Sequence, residues 1–330
     1  MKQAIVINCS ALHYNLGAHK LADWLAGQGY AVTAAQGDPG LWGLSADLVC
    51  LSVIFSWHAA LARQVAMRMQ EQAEVWAGGP GLFALSHWWS NETGPAVVKG
   101  LDGRFEQQRG RYKMTFASRG CPVNCSFCIV PRLEGVTFSF DPEFIPAPVL
   151  CDNNLSALPV EYQHHIIACY QACDQPLLDA NSGFEPRSFD ADTYQRWKPI
   201  LRGPWRFALD EMRELTDVQR TITILKEVSA SRKRVYCLVG NEPIADCYER
   251  ACKIIEWLGE PFCQFVLPLN WLGDPAQVKL RHDWRSYQQG RDFCRYFNTY
   301  GWRSYPIWEY QPRKYEPRPF AQLRPQEVFA

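Results

Sequence analysis

Short apolar runs alternate with stretches of helical period along most of this 330-residue chain, and the alternation starts twice. Residues 4–8, 31–35, 47–54 and 74–77 read as strands, with 95–99 as a fifth. Helices are expected at 16–29, where Leu21, Trp24 and Leu25 share one face, and at 58–72. Strands and helices alternating across short glycine-containing turns argue an open parallel sheet. Ligands of such sheets sit outside the carboxyl ends of the strands, which here fall at 9–16, 55–58 and the turn Gly78-Gly79-Pro80-Gly81. From residue 113 the pattern restarts, with strands at 113–118, 147–152, 177–181, 205–210, 234–240 and 262–268. Helical stretches lie between them at 160–173, 190–199, 216–230 and 245–258. The expected division is an open sheet over 1–105, a second strand–helix array over 106–275, and a closing segment over 276–330.

Lys and Arg number 34 against 34 Asp and Glu, so no global field selects nucleic acid or a membrane surface. No uncharged run reaches the roughly 20 residues of a bilayer-spanning helix, and Met1 leads straight into a strand without the shape of a signal peptide. The thirteen cysteines are odd in number, and many lie inside apolar runs such as 48–51 and 235–238. That usage belongs to a reducing compartment. A cytoplasmic protein with no membrane partner is expected.

Cys121, Cys125 and Cys128 form a C-x3-C-x2-C set within residues 118–131. Three thiolates so close together can hold three irons of a cubane [4Fe–4S] cluster, leaving the fourth iron open. Clusters that only carry electrons take four thiolates. Structural zinc takes four donors from two paired knuckles. Here Cys9, Cys50 and Cys151 stand alone, and His164 and His165 are adjacent rather than spaced.

This spacing, with the aromatic Phe127 just before the third cysteine, resembles the radical S-adenosylmethionine (SAM) superfamily. The resemblance implies a partial (β/α)6 barrel with the cluster loop after its first strand. It implies a [4Fe–4S] cluster on the three cysteines, SAM at the open iron, and an external electron donor of the flavodoxin or ferredoxin type. SAM would be cleaved to methionine and a 5′-deoxyadenosyl radical that takes hydrogen from an unactivated C–H bond of an undetermined substrate. By the same resemblance Asp152, Asn153 and Asn154 stand where relatives carry a Gly-Gly-Glu run against the methionyl amine. Arg187 would pair with the SAM carboxylate, Asp210 or Glu242 would accept the ribose hydroxyls, and Phe127 and Gly240 would border the adenine. Glu185, Asn181, Asn241 and Asn270 join these at five strand ends. A single polar cap is a turn signal, but five on one face mark a binding face of a barrel.

The run Tyr14-Asn-Leu-Gly-Ala18, the helix end Gly27-Gln-Gly-Tyr30, and residues 47–52 and 78–81 look like the cobalamin-binding-type domain that precedes many radical SAM barrels. Leu12 and Tyr14 occupy the Asp and His places of the D-x-H-x-x-G run of cobalamin mutases, so no lower-ligand histidine is assigned. The resemblance leaves open a domain that carries cobalamin, with methyl transfer, and one that keeps the fold without it. His13 and His58 read as loop residues.

Residues 279–318 hold nine Lys and Arg against four acids, with Trp284, Tyr296, Trp302 and Tyr310 among many interleaved rings. Such mixtures suit stacked bases and phosphates. The alternative is a final helix over 284–300 and a proline-punctuated tail packed on the body. Two other functions compete. A tRNA methylthiotransferase-like enzyme would hold a second cluster on N-terminal cysteines, for which Cys9 and Cys50 are candidates without a third. A non-enzymatic Fe–S or zinc nucleic-acid module would release no 5′-deoxyadenosine.

Overall fold

The computed structural model describes residues 1–40, 45–93, 101–314 and 316–325. Two compact units are distinguished. One comprises Met1–Asn153, Ala168–Pro176 and Pro268–Gln277, the other Asn154–Ile167, Leu177–Leu267 and Val278–Ala330.

In the first unit β1 (Gln3–Asn8), α1 (Leu16–Gly27), β2 (Ala31–Gln36), β3 (Leu48–Ser52), α2 (Ala59–Met69) and β4 (Glu74–Gly78) alternate as the sequence predicts. The four strands pair in parallel in the order β2-β1-β3-β4. Central β1 is buried from Ala4 to Asn8 because both of its faces are covered. Ala4 and Val6 pack with Leu21 and Leu25 of α1, while Ile5 and Ile7 pack with Ala62, Val65 and Met69 of α2. The helices therefore lie on opposite faces, and strand order reverses between β1 and β3. A crevice opens at the carboxyl ends of such a pair. After β4 come α3 (Pro80–Phe83) and α4 (Ser86–Thr93). Gly79 has φ of +102°, and a side-chain carbon there would stand 2.3 Å from the Val53 carbonyl oxygen. Only glycine lets this turn close on the end of β3. The strand expected at 95–99 lies outside the described residues.

The same unit continues through α5 (Gly103–Glu106), β5 (Met114–Thr115), β6 (Ser118–Arg119), α6 (Val130–Leu133), β7 (Ser139–Phe140) and β8 (Val149–Leu150). β5 and β8 pair in parallel. They are shorter than expected because the Ala117 N–H leaves the ladder and donates to the Asp152 carboxylate at 2.8 Å. β6 and β7 form an antiparallel ribbon that the sequence pattern does not announce.

Next in the chain are α7 (Val160–Ala172), β9 (Asp179–Ala180), α8 (Ala191–Trp197), β10 (Trp205–Ala208), α9 (Leu215–Ile224), β11 (Lys233–Val239), α10 (Ile244–Glu256), β12 (Glu260–Phe265) and α11 (Tyr287–Asn298). In the second unit β10, β11 and β12 make a parallel sheet with β11 in the middle. Its core takes Val235, Cys237, Val239 and Cys263 from the strands and Cys247, Ala251 and Ile254 from α10. Trp284, Phe293, Tyr296, Phe297, Tyr310 and Phe320 are buried in the same cluster. The aromatic tail is thus core material, and Arg303 and Arg313 are spent on Glu260 and Asp292. No helix of the described residues is long and apolar enough to cross a membrane.

Candidate functional site

The cysteine loop hangs between β6 and α6. At its entrance Gly120 has φ of +87°, and a Cβ there would meet the Thr137 carbonyl oxygen at 2.2 Å, so glycine is required. Cys121 N–H donates to Gly135 O at 3.2 Å and closes the loop. Within it, Asn124 adopts φ of +56°, and Cys128 N–H donates to Cys125 O at 3.1 Å. The Val130 N–H donates to Cys128 Sγ at 3.4 Å, a placement that favours the thiolate. Cys121, Cys125, Phe127 and Cys128 are all half-buried, and none of the thirteen cysteines is in a disulfide. The Glu134 side chain, only 6% exposed, ties the loop down. It accepts from Gly120 N–H at 3.0 Å, from Arg119 at 3.2 Å and from Asn153 Nδ2 at 2.7 Å.

Among the described residues no three His, Cys, Asp or Glu side chains converge on one point where a metal ion would sit. A tetrahedral zinc needs such convergence. A cubane does not, because each of its thiolates binds a different iron. Three thiols on one tight loop therefore suit the cluster better than the zinc.

The three residues expected to act together after β8 have different surroundings. Asp152 is fully buried, and its oxygens accept from Ala117 N–H and the Ser118 hydroxyl. Desolvation pushes this carboxyl up to about 6, against those two bonds and the nearby Arg119. Asn153 faces the cysteine loop, donating to Gly120 O at 3.3 Å as well as to Glu134. Asn154 belongs to the second unit and accepts from Ala157 N–H at 3.2 Å.

At the switch point of the first sheet the polar groups are neutral and mutually bonded. Asn8 Nδ2 donates to His13 O at 2.8 Å and to Gln36 Oε1 at 2.9 Å. Asn8 Oδ1 accepts from Ser10 N–H and from Asn15 Nδ2, both at 3.0 Å. Asn15 also reaches Ser52 Oγ at 3.0 Å and caps α1 through Ala18 N–H at 3.1 Å. His58 Nδ1 lies 2.9 Å from Ser10 Oγ, and the His13 ring meets Phe55 edge-on at 4.8 Å. Leu12 points into solvent, 96% exposed, and the Tyr14 hydroxyl accepts from Lys113 N–H. Cys9 and Cys50 are buried in opposite layers of the sheet, and burial pushes both thiols up to about 12. Thiols on opposite faces cannot share a cluster, which removes the two candidates for a second one.

The second unit gathers charged residues at its strand ends. Glu185 accepts from the Arg187 guanidinium at 2.7 and 3.1 Å, a forked pair. Asp210 Oδ1 accepts from Leu238 N–H at 3.2 Å, and its backbone oxygen accepts from Asn241 Nδ2 at 2.6 Å. Desolvation, then the charges of Glu214 and Glu185, push the Asp210 carboxyl up to about 7 despite Leu238 N–H and Arg250. Glu242 Oε1 accepts from Met212 N–H at 3.2 Å, and its Oε2 stands 3.0 Å from Arg250 Nε. That last approach is an ion pair without hydrogen-bond alignment, since neither atom has a bonded partner. Gly240 has φ of +91°, and a Cβ there would strike the Phe265 ring at 2.5 Å. A cavity of about 310 Å³ in this unit is lined by Lys198, Arg202, Trp205 and Arg232. It lies at the amino-terminal ends of β10 and β11, away from these groups.

Sequence reasoning missed Glu134 and Arg250. Glu134 had the weaker signal, an acid just past the cysteine run. Arg250 had a clear one, because it shares the apolar stripe of α10 with Cys247, Ala251 and Ile254.

No protein-family model matches the chain, and no curated protein matches it. Among solved structures, the radical S-adenosylmethionine methyltransferase TsrM from Kitasatospora setae, with cobalamin and a [4Fe–4S] cluster bound, is similar at a TM-score of 0.63 and 12% identity. The match covers 82% of this chain and 77% of that one. The cobalamin-dependent SAM radical enzyme OxsB, with aqua-cobalamin and SAM bound, aligns at a TM-score of 0.49 and 11% identity over 77% of this chain and 52% of its own. The chain therefore shares its fold with TsrM, a mixed α/β architecture of parallel sheets in which the open four-stranded sheet comes first in the chain.

Proposed function

We propose that this chain is a radical SAM enzyme that binds cobalamin in its N-terminal sheet and transfers a methyl group. The observation that carries the proposal is the cysteine loop, Cys121, Cys125 and Cys128 held by Gly120 and Glu134, in a chain with the fold of TsrM. When bound, a [4Fe–4S] cluster with an open iron supplies a chelating metal corner for SAM and a source of one electron. The chain's own residues bind and shield. The Cys128 sulfur receives a backbone N–H, which lowers the cost of negative charge there. Asn153 and Glu134 keep the loop in one shape. Asp210 offers an acceptor for the sugar hydroxyls, and Glu185 with Arg187 offers a fork that can exchange its partner for a carboxylate. Gly79 and Gly81 let the turn after β4 lie against the Val53 and Phe55 backbone at the end of β3. An external flavodoxin- or ferredoxin-type donor would reduce the cluster.

The test is anaerobic purification and reconstitution, followed by iron, sulfide and corrinoid analysis. The expected result is one cluster per chain, lost in Cys125→Ser, and hydroxocobalamin retained through gel filtration. Tetrahedral zinc in oxygen-free material, or a cluster whose spectrum is indifferent to added SAM, would overturn the proposal.

A further inference from the structure

Arg250 is the largest charged side chain buried without exposure in the described residues. Burying a guanidinium is costly unless its donors are met, and an aliphatic residue would pack α10 at no such cost. Its partners lie at the carboxyl ends of β10 and β11. Nη1 donates to Leu209 O at 2.6 Å, and Nη2 donates to Leu238 O at 2.8 Å and to Asn241 Oδ1 at 3.3 Å. Leu209 immediately precedes Asp210. Leu238 donates its N–H to the Asp210 carboxylate, and Asn241 donates to the Asp210 backbone oxygen. Glu242 completes the stitch, bonding Met212 N–H on one side and facing Arg250 on the other. Every bond Arg250 makes to oxygen thus bears on the segments 209–212 and 238–242.

We propose that Arg250 is a positioning residue for Asp210: it fixes the two strand ends so that one carboxylate oxygen is held by Leu238 and the other is presented to a sugar hydroxyl of SAM. This rests on the SAM reading above and goes beyond it by assigning the buried network behind the site. Arg250 also sets the charge there. Asp210 is faced by Glu214 at the start of α9, Glu185 in the loop after β9 and Cys237 of β11, and Arg250 of α10 is the cation among them. Glu242 lies on the far side of the guanidinium and neutralises part of it.

Equilibrium dialysis of SAM against reconstituted protein between pH 5.5 and 8.5 tests this. Wild-type affinity should rise with pH around a midpoint near 7 and level off above about 8, as the carboxyl ionises and can accept a hydroxyl. In Arg250→Met the rise should move up by about one pH unit, with affinity at neutral pH about fivefold weaker. Glu242→Gln, which strips the counter-charge and keeps the shape, should move the rise to lower pH. Arg250→Lys should restore most of the wild-type profile. A merely structural role would lower the thermal midpoint and leave the pH midpoint of the folded protein where it was. If Arg250→Met does not fold, Glu242→Gln carries the test. Coincident pH midpoints for wild type and these variants would overturn the inference while leaving the SAM reading intact. A wild type that binds no SAM at any pH would withdraw both.

Discussion

The first sheet and the sheet of β10, β11 and β12 put polar residues at the same topological place and solve their burial in opposite ways. At the switch point of the first sheet, Asn8, Ser10, Asn15 and Ser52 are neutral and meet each other's donors and acceptors. Beyond β10 and β11 the groups are ionic, with Asp210, Glu214 and Glu185 around one carboxyl and Arg250 behind it. Amides bonded to one another cost little to bury and hold one shape at any pH near neutral. Carboxyls crowded together and desolvated keep protons that free carboxyls release. The first arrangement is a fixed cradle, the second a site whose charge depends on the medium.

The sharpest break in that contrast comes from Asp210→Asn. The folded chain holds its proton up to about pH 7, whereas the unfolded chain releases it in the ordinary carboxylate range. Stability from this group is therefore whole at acid pH and is lost as pH rises through about 7. Asparagine keeps the acceptor for Leu238 N–H and removes the ionisation. The variant should be more stable than wild type at pH 8 by about 4 kcal/mol and nearly equal to it at about pH 3. Thermal melts at the two pH values check this. Equal differences at both would mean that Asp210 is ionised throughout and that the two sheets do not differ in this respect.

Asn8→Ala probes the other side. It strands Ser10 N–H and the Asn15 amide and removes two donors, so it should cost about 2 kcal/mol. Between pH 7 and 8.5 the cost should not change, because burial and then the neighbouring His13 lower the range of His58, which is then neutral. A pH-dependent loss in that window, measured by denaturant melts, would show that charge has entered the first sheet as well.

The same contrast explains what could be read from the sequence. The first sheet was legible because its central strands β1 and β3 are buried along their length and so read as continuous apolar runs such as 48–51. The cysteine loop was legible because its spacing is local. The second array was legible in outline, but β5, β8 and β9 are only two residues long each. There side chains replace the ladder, as Asp152 does for Ala117 N–H, and no periodicity records that exchange. Asp210 and Glu242 were seen as strand-end polars. The network behind them was not, because it is held by Arg250, which lies 40 positions beyond Asp210 in the chain and reaches both through α10. The aromatic tail left two readings open for a related reason. Rings spaced for stacking on bases are equally spaced for packing, and among the described rings of the tail only Tyr300 and Tyr305 are exposed, at 38%.

The smallest effect is local and belongs to Asn15. Its side-chain oxygen accepts from Ala18 N–H while its own backbone is extended, at φ of −118° and ψ of 94°, which makes it the cap of α1. The first turn of α1 has no acidic residue to share that task. Asn15→Ala should therefore cost about 1 kcal/mol from the cap, and Asn15→Asp should recover most of it by accepting the same N–H. Aspartate also places a charge beside Asn8 Oδ1, where the amide of Asn15 now donates. If the switch point tolerates only neutral groups, Asn15→Asp should regain the cap yet become less stable as pH rises from 4 to 7, the first pH dependence in that sheet. If its stability instead holds constant over that range, the neutrality of the first sheet is incidental and the contrast with Asp210 is one of burial alone.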